Sequence, residues 1–143
     1  MGAIVCATRG GEASRHSQER AIALARERGV PLIFLFVADT TATRLANPAL
    51  AQALADELEG LGRRLLSIAQ ARAQEQGVTA GVVVRRGAVR LEIADFLRQV
   101  QADTLILGAP GSGSEKRAFS PGELPEFARE ISAATGVQVI VVE

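Results

Sequence analysis

The sequence has 143 residues, 48 % of them hydrophobic, with five Phe and neither Tyr nor Trp, so one domain's worth of chain must build an aliphatic core. Its 16 basic and 16 acidic side chains cancel, which removes any global reason to bind nucleic acid or an anionic membrane. One cysteine and one histidine exclude an internal disulfide and a Cys/His zinc cluster.

No apolar run approaches the roughly 18 residues of a membrane span, and the N-terminus lacks the charged-then-apolar build of a secretory leader. The expectation is a single cytoplasmic domain over residues 1–143, with no membrane and no nucleic-acid partner.

Taken in order, Ala3–Ala7 (AIVCA) reads as a short buried strand with Cys6 inside it. A turn over Thr8–Ser14 leads to a helix from Ser14 or Arg15 to Arg28, ended by Gly29, with Ala21, Leu24 and Ala25 inward. Leu32–Val37 (LIFLFV) is too apolar for a half-exposed strand. Asn47-Pro48 fits a cap followed by proline at the first helical position. The long helix to Gln76 carries Leu50, Leu54, Leu58, Leu61, Leu65 and Ile68 at the helical period, which predicts that Leu54, Leu58, Leu61 and Leu65 lie against the sheet. Gly60 and Gly62 interrupt it.

Val78–Val84 is a third strand, placed toward an edge by Thr79 and Gly81, with Arg85-Arg86-Gly87 as its exit. Val89–Val100 is a helix with Ile93, Phe96, Leu97 and Val100 on one face. Thr104–Leu107 is a central strand that runs into glycines at 108, 111 and 113. Ser120-Pro121-Gly122-Glu123 has the form of a capping box, but Pro125 predicts an irregular turn over 120–124 and a regular helix only from Pro125 to Ala134. Val137–Val142 closes the chain as a strand. Strands alternating with helices at this spacing predict parallel strands in a three-layer α/β fold.

Ligands of such sheets bind at the carboxyl ends of the strands, where the strand order reverses. The loops Thr8–Gly11 and Gly108–Ser114 are the pair placed to share that crevice. Glycines, Ser112, Ser114 and the nearby Lys116 and Arg117 suit an anion, a phosphate or a nucleotide. A tight connection alone would also use such glycines. The P-loop pattern, a G-x-G-x-x-G after the first strand and the G-x-S-x-G elbow are all absent, as are the acidic residues of a phosphorylated receiver. His16 fits a solvated first turn of a helix, Cys6 a core position and Asp39 a turn, so no residue is cast as catalytic and no metal is expected.

The chain resembles the universal stress protein family over nearly its whole length. The resemblance rests on IVCATRGGEAS, LIFLFVAD, Gly87 after the third strand, ADTLILG with APG, and the terminal VQVIVV. It implies a five-stranded parallel sheet of order 3-2-1-4-5 and a homodimer. It also implies an adenine-nucleotide site holding ATP, ADP or AMP, built from Thr8, Arg9, Val37, Ala38, Gly87, Gly108, Gly111, Ser112, Gly113, Ser114 and Gly122. The family's ATP motif has a glycine, two residues, a glycine, nine residues and a glycine followed by Ser or Thr; here Gly108 and Gly111 match, Gly122 comes after ten residues, and Glu123 follows it. Arg9 stands where the family usually has an aspartate.

In strand order 3-2-1-4-5 the apolar Val137–Val142 strand is an edge, which predicts pairing with a second copy. The reading is a stress-related binding or regulatory module that binds an adenine nucleotide weakly without hydrolysis. The alternatives are an interaction homodimer with no nucleotide and, last, a nucleotide-hydrolysing or phosphotransfer enzyme.

Overall fold

The computed structural model describes residues 2–8, 14–39, 47–108 and 123–142. The elements in chain order are β1 (Ile4–Ala7), α1 (Arg15–Arg28), β2 (Leu32–Asp39), α2 (Pro48–Glu75), β3 (Ala80–Gly87), α3 (Val89–Val100), β4 (Thr104–Gly108), α4 (Glu123–Thr135) and β5 (Gln138–Val142). The strands form one parallel sheet in the order β3-β2-β1-β4-β5. This is the α/β architecture that the alternating pattern demands.

Each strand residue chooses one of two cores by its parity. Ile4, Cys6, Leu32, Phe34, Phe36 and Ile106 pack beneath α1 and α2. Val5, Leu35, Leu105 and Leu107 pack beneath α3 and α4 with Phe96, Leu97, Phe127 and Ile131. Both faces of the central strands are covered, which is why they read as unbroken apolar runs.

Three expectations are corrected. The long helix presents only half of the expected leucines to the sheet: Ala55, Gly62, Leu66, Ala69 and Ala73 are buried, Leu58 and Leu65 pack half-buried against the core, and Leu54 and Leu61 face outward with Leu50 and Ile68. The reason is volume. Phe36 stands out of the sheet so near α2 that a Cβ at Gly62 would come within 2.7 Å of its Cε1. A smaller surface lets the helix sit there.

The strand β3 begins two residues later than its apolar run, and it ends later because both arginines of the expected exit are anchored within it. Arg85 donates to Gln99 at 2.8 Å and to Asp95 at 3.2 Å on α3, and lies over the Phe96 ring. Arg86 points to the other face, where it donates to Asp56 at 2.6 Å and Glu59 at 2.7 Å on α2. Hydrogen bonds from Arg63 and then Arg86 hold the Glu59 carboxyl below its usual range.

Helix α4 starts at Glu123, two residues before the expected Pro125. Proline in the first turn removes an N–H that has no intrahelical partner in any case, so it breaks nothing.

Candidate functional site

The carboxyl ends of β1 and β4 lie side by side, with Ala7 in register with Leu107. Thr8 follows Ala7, and its backbone N–H donates to the Leu35 carbonyl at 2.9 Å, which ties it to β2 as well. Gly108 is the last residue of β4. A Cβ at Gly108 would meet Ser17 Oγ at 3.3 Å, so a side chain there would press on the first turn of α1.

That first turn is polar and buried. Ser14, Ser17 and Gln18 are buried together with Thr8, although apolar residues dominate the rest of the face. Ser17 Oγ donates to the Ser14 carbonyl at 2.8 Å, and Gln18 Nε2 donates to Thr8 Oγ1 at 2.9 Å. Gln18 Oε1 in turn accepts from Arg72 Nη1 at 2.8 Å, which links the strand end to α2. The helix starts here with no acidic residue in its first turn and no cap bond from the Ser14 side chain. Among the described residues no carboxylate and no cap side chain neutralises its positive end.

The sequence reading missed Ser14, Ser17 and Gln18. The signal was present: stepping back from Ala21 by three and four positions reaches Gln18 and Ser17, and one more such step from either reaches Ser14, all on the same helix face.

The other expected residues fall as follows. Val37 and Ala38 occupy the end of β2 with opposite orientations, Val37 toward α3 and α4 and Ala38 fully buried toward α1 and α2. Gly87 ends β3 opposite Asp39, three strand spacings or roughly 14 Å from β4. Its φ of 139° and a Cβ that would stand 3.1 Å from Glu92 call for glycine there without any ligand. Thr8 and Gly108 are brought together; Gly87 stands apart. Arg9, Gly111, Ser112, Gly113, Ser114 and Gly122 lie outside the described residues.

Candidate reactive groups are muted. Burial pushes the Cys6 thiol from 9.0 up to about 12, against a small opposing effect of the Ser17 hydrogen bond, so it is a core residue and no nucleophile. His16 is exposed in the first turn of α1. Among the described residues no group of three His, Cys, Asp or Glu side chains could hold a metal ion, and no helix is long and apolar enough to cross a membrane. A groove of about 700 Å³ lies between α1 and α2, lined by Arg15, Glu19, Arg26, Glu27, Arg72 and Glu75. Its charges are of both signs, so it has no preference for an anion.

A family model described as the universal stress protein family matches residues 1–143. The chain belongs to this family. Universal stress protein UspA from Lactobacillus plantarum aligns over 99 % of this chain and 97 % of its own, with a TM-score of 0.77 and 19 % identity. A universal stress protein from Archaeoglobus fulgidus, solved in complex with dAMP, aligns over 100 % and 98 % with a TM-score of 0.67 and 16 % identity. A universal stress protein family member from Arabidopsis thaliana with AMP bound aligns over 99 % and 91 % with a TM-score of 0.62 and 16 % identity. At such identities the likeness is one of fold. Comparison with curated protein sequences returns no match.

Proposed function

We propose that this universal stress protein is a non-enzymatic binding module that takes an adenine nucleotide at the carboxyl ends of β1 and β4. The observation that carries the reading is the buried polar cluster of Thr8, Ser14, Ser17 and Gln18 beneath that point, beside Gly108. Buried polar groups are kept where they are hydrogen-bonded and serve a purpose that an apolar residue would not. The same end of the sheet carries the positive end of α1. Two solved proteins of this fold hold dAMP and AMP.

The described residues suit the nucleoside half of such a ligand. Val37 offers an apolar side chain and Ala38 only backbone at the end of β2, and Thr8 and Gly108 a close-approaching backbone. The phosphates fall to the sequence 109–122, where glycines and serines supply N–H and O–H donors. Pro121 removes one N–H from that stretch, and Glu123 adds negative charge after Gly122. A third phosphate is penalised more than the first, so binding is weak, with little preference for ATP over AMP and no hydrolysis.

Calorimetry with AMP, ADP and ATP tests this. Gly111→Val should abolish binding, and Glu123→Ser should raise ATP affinity relative to AMP. If no nucleotide binds at millimolar concentration, the second reading takes over: an interaction homodimer. That reading is favoured by β5, which among the described residues pairs with β4 alone and whose Val141 is exposed. An apolar open edge recruits another strand, and a second copy of β5 closes the pair. Val139→Pro should weaken that dimer in sedimentation equilibrium if the residue 139 N–H points outward.

A further inference from the structure

The outward face of α2 carries four large apolar side chains in a line. Leu50 is 50 % exposed, Leu54 39 %, Leu61 42 % and Ile68 52 %. Single exposed leucines need no explanation, but these are arranged. Leu54, Leu61 and Ile68 recur every seven residues with Leu50 four before them, the spacing that keeps a seam on one side of a helix. The line runs some 27 Å along the axis. It is absent from the core for the reason already given: the alanine and glycine face of α2 fits under Phe36, and the leucine face does not.

The charges on the seam identify what covers it. Glu57 and Arg64 lie on the same line, one turn to either side of Leu61, and both are exposed. Their neighbours are engaged, Asp56 and Glu59 with Arg86 and Glu59 also with Arg63. Among the described residues Glu57 and Arg64 enter no such pair. Between them Gly60 leaves a dent, and Asp56, Glu57, Gly60, Leu61 and Arg64 line an open concavity of about 580 Å³. The Arg64 Nη1 lies 3.6 Å from where a Gly60 Cβ would be, folded back along its own helix.

We propose that this seam is a self-association surface, on which a second copy of the chain lays its own α2 antiparallel across a two-fold axis near Leu61. Leu54 then faces Ile68 of the other copy, Leu61 enters the dent at Gly60, and Glu57 comes beside Arg64, each contact made twice. A parallel arrangement in register would set Glu57 against Glu57 and Arg64 against Arg64. The charge order along the helix rejects it. An isologous surface of this kind closes on itself. It is separate from the β5 edge: α2 packs on β2 and β3 at the far side of the sheet, so one contact does not block the other.

The test is sedimentation equilibrium of the full chain, unmodified and with Val139→Pro, over micromolar to hundreds of micromolar concentration. Glu57→Arg and Arg64→Glu should each weaken the α2 association about tenfold or more, since two attractive contacts become two repulsive ones. The double exchange should restore it. Both positions are exposed, and circular dichroism should show the fold intact in each variant. A mass unaffected by either single exchange overturns the proposal and leaves any dimer to β5. Failure of the double exchange to recover association overturns the antiparallel pairing. A Leu61→Asn change that lowers the melting temperature without altering mass also overturns it, since the seam is then covered by the chain itself.

Discussion

The amide nitrogen of Gln18 donates to the hydroxyl of Thr8 at 2.9 Å, and both side chains are buried at the switch point of the sheet. The bond joins the first turn of α1 to the end of β1, so the position of the strand end depends on a helix residue ten positions later. Gln18→Leu keeps the volume but removes the donor to Thr8 and the acceptor of Arg72. Urea melts should show a loss of about 1–3 kcal/mol. Calorimetry should show weaker nucleotide binding as well, because Thr8 is no longer held.

Gly60 and Gly62 are two residues apart on one helix and should respond in opposite directions. Gly62→Ala drives a Cβ into the Phe36 ring, whose atoms cannot swing aside, and overpacking of this kind costs about 1–3 kcal/mol. Gly60→Ala meets only the end of the Arg64 side chain at 3.6 Å and gains helix propensity, about 1 kcal/mol of added stability. Denaturant melts at low protein concentration, where α2 contacts between copies are absent, measure both.

Leu66 and Leu61 form a similar pair. Leu66 is fully buried between α2 and the sheet, and Leu66→Ala should cost about 2–5 kcal/mol. Leu61→Ala, on the outward face, should change monomer stability by less than about 0.5 kcal/mol. Equal losses at the two positions would contradict the orientation of α2.

Cys6 sets a pH dependence in alkali. Burial raises its folded pKa to about 12, so the native state keeps a proton that the unfolded chain releases above 9.0. Its contribution to stability is complete below pH 9 and is lost between pH 9 and 12, with a slope of up to about 1.4 kcal/mol per pH unit. Cys6→Ala should flatten the difference in that window. In the native protein at pH 8 the thiol should resist iodoacetamide, and in urea it should react fully.

The strand ends of the candidate site were legible because glycine, proline and apolar runs act locally. Thr8, Gly108 and the end of β2 follow from where the runs stop. The buried polar turn of α1 was not, since Ser17 and Gln18 look like surface residues until the sheet's carboxyl end is set beside them. Gly87 shows the opposite: its glycine follows from a positive φ and the approach of Glu92, contacts made only when α3 packs on β3.

Periodicity in the sequence by itself determined nine elements in alternation and hence a parallel α/β sheet, because which residues can line a strand or a helix stripe is a local matter. The direction in which α2 turns was decided only in three dimensions. Its sequence offers two apolar stripes, one of leucines and one of alanines with Gly62 and Leu66, and hydrophobicity alone favours the larger. The space beneath the helix is limited by Phe36 and by the Arg86 anchor of β3, and close packing admits the smaller stripe. The leucines are thereby left on the surface.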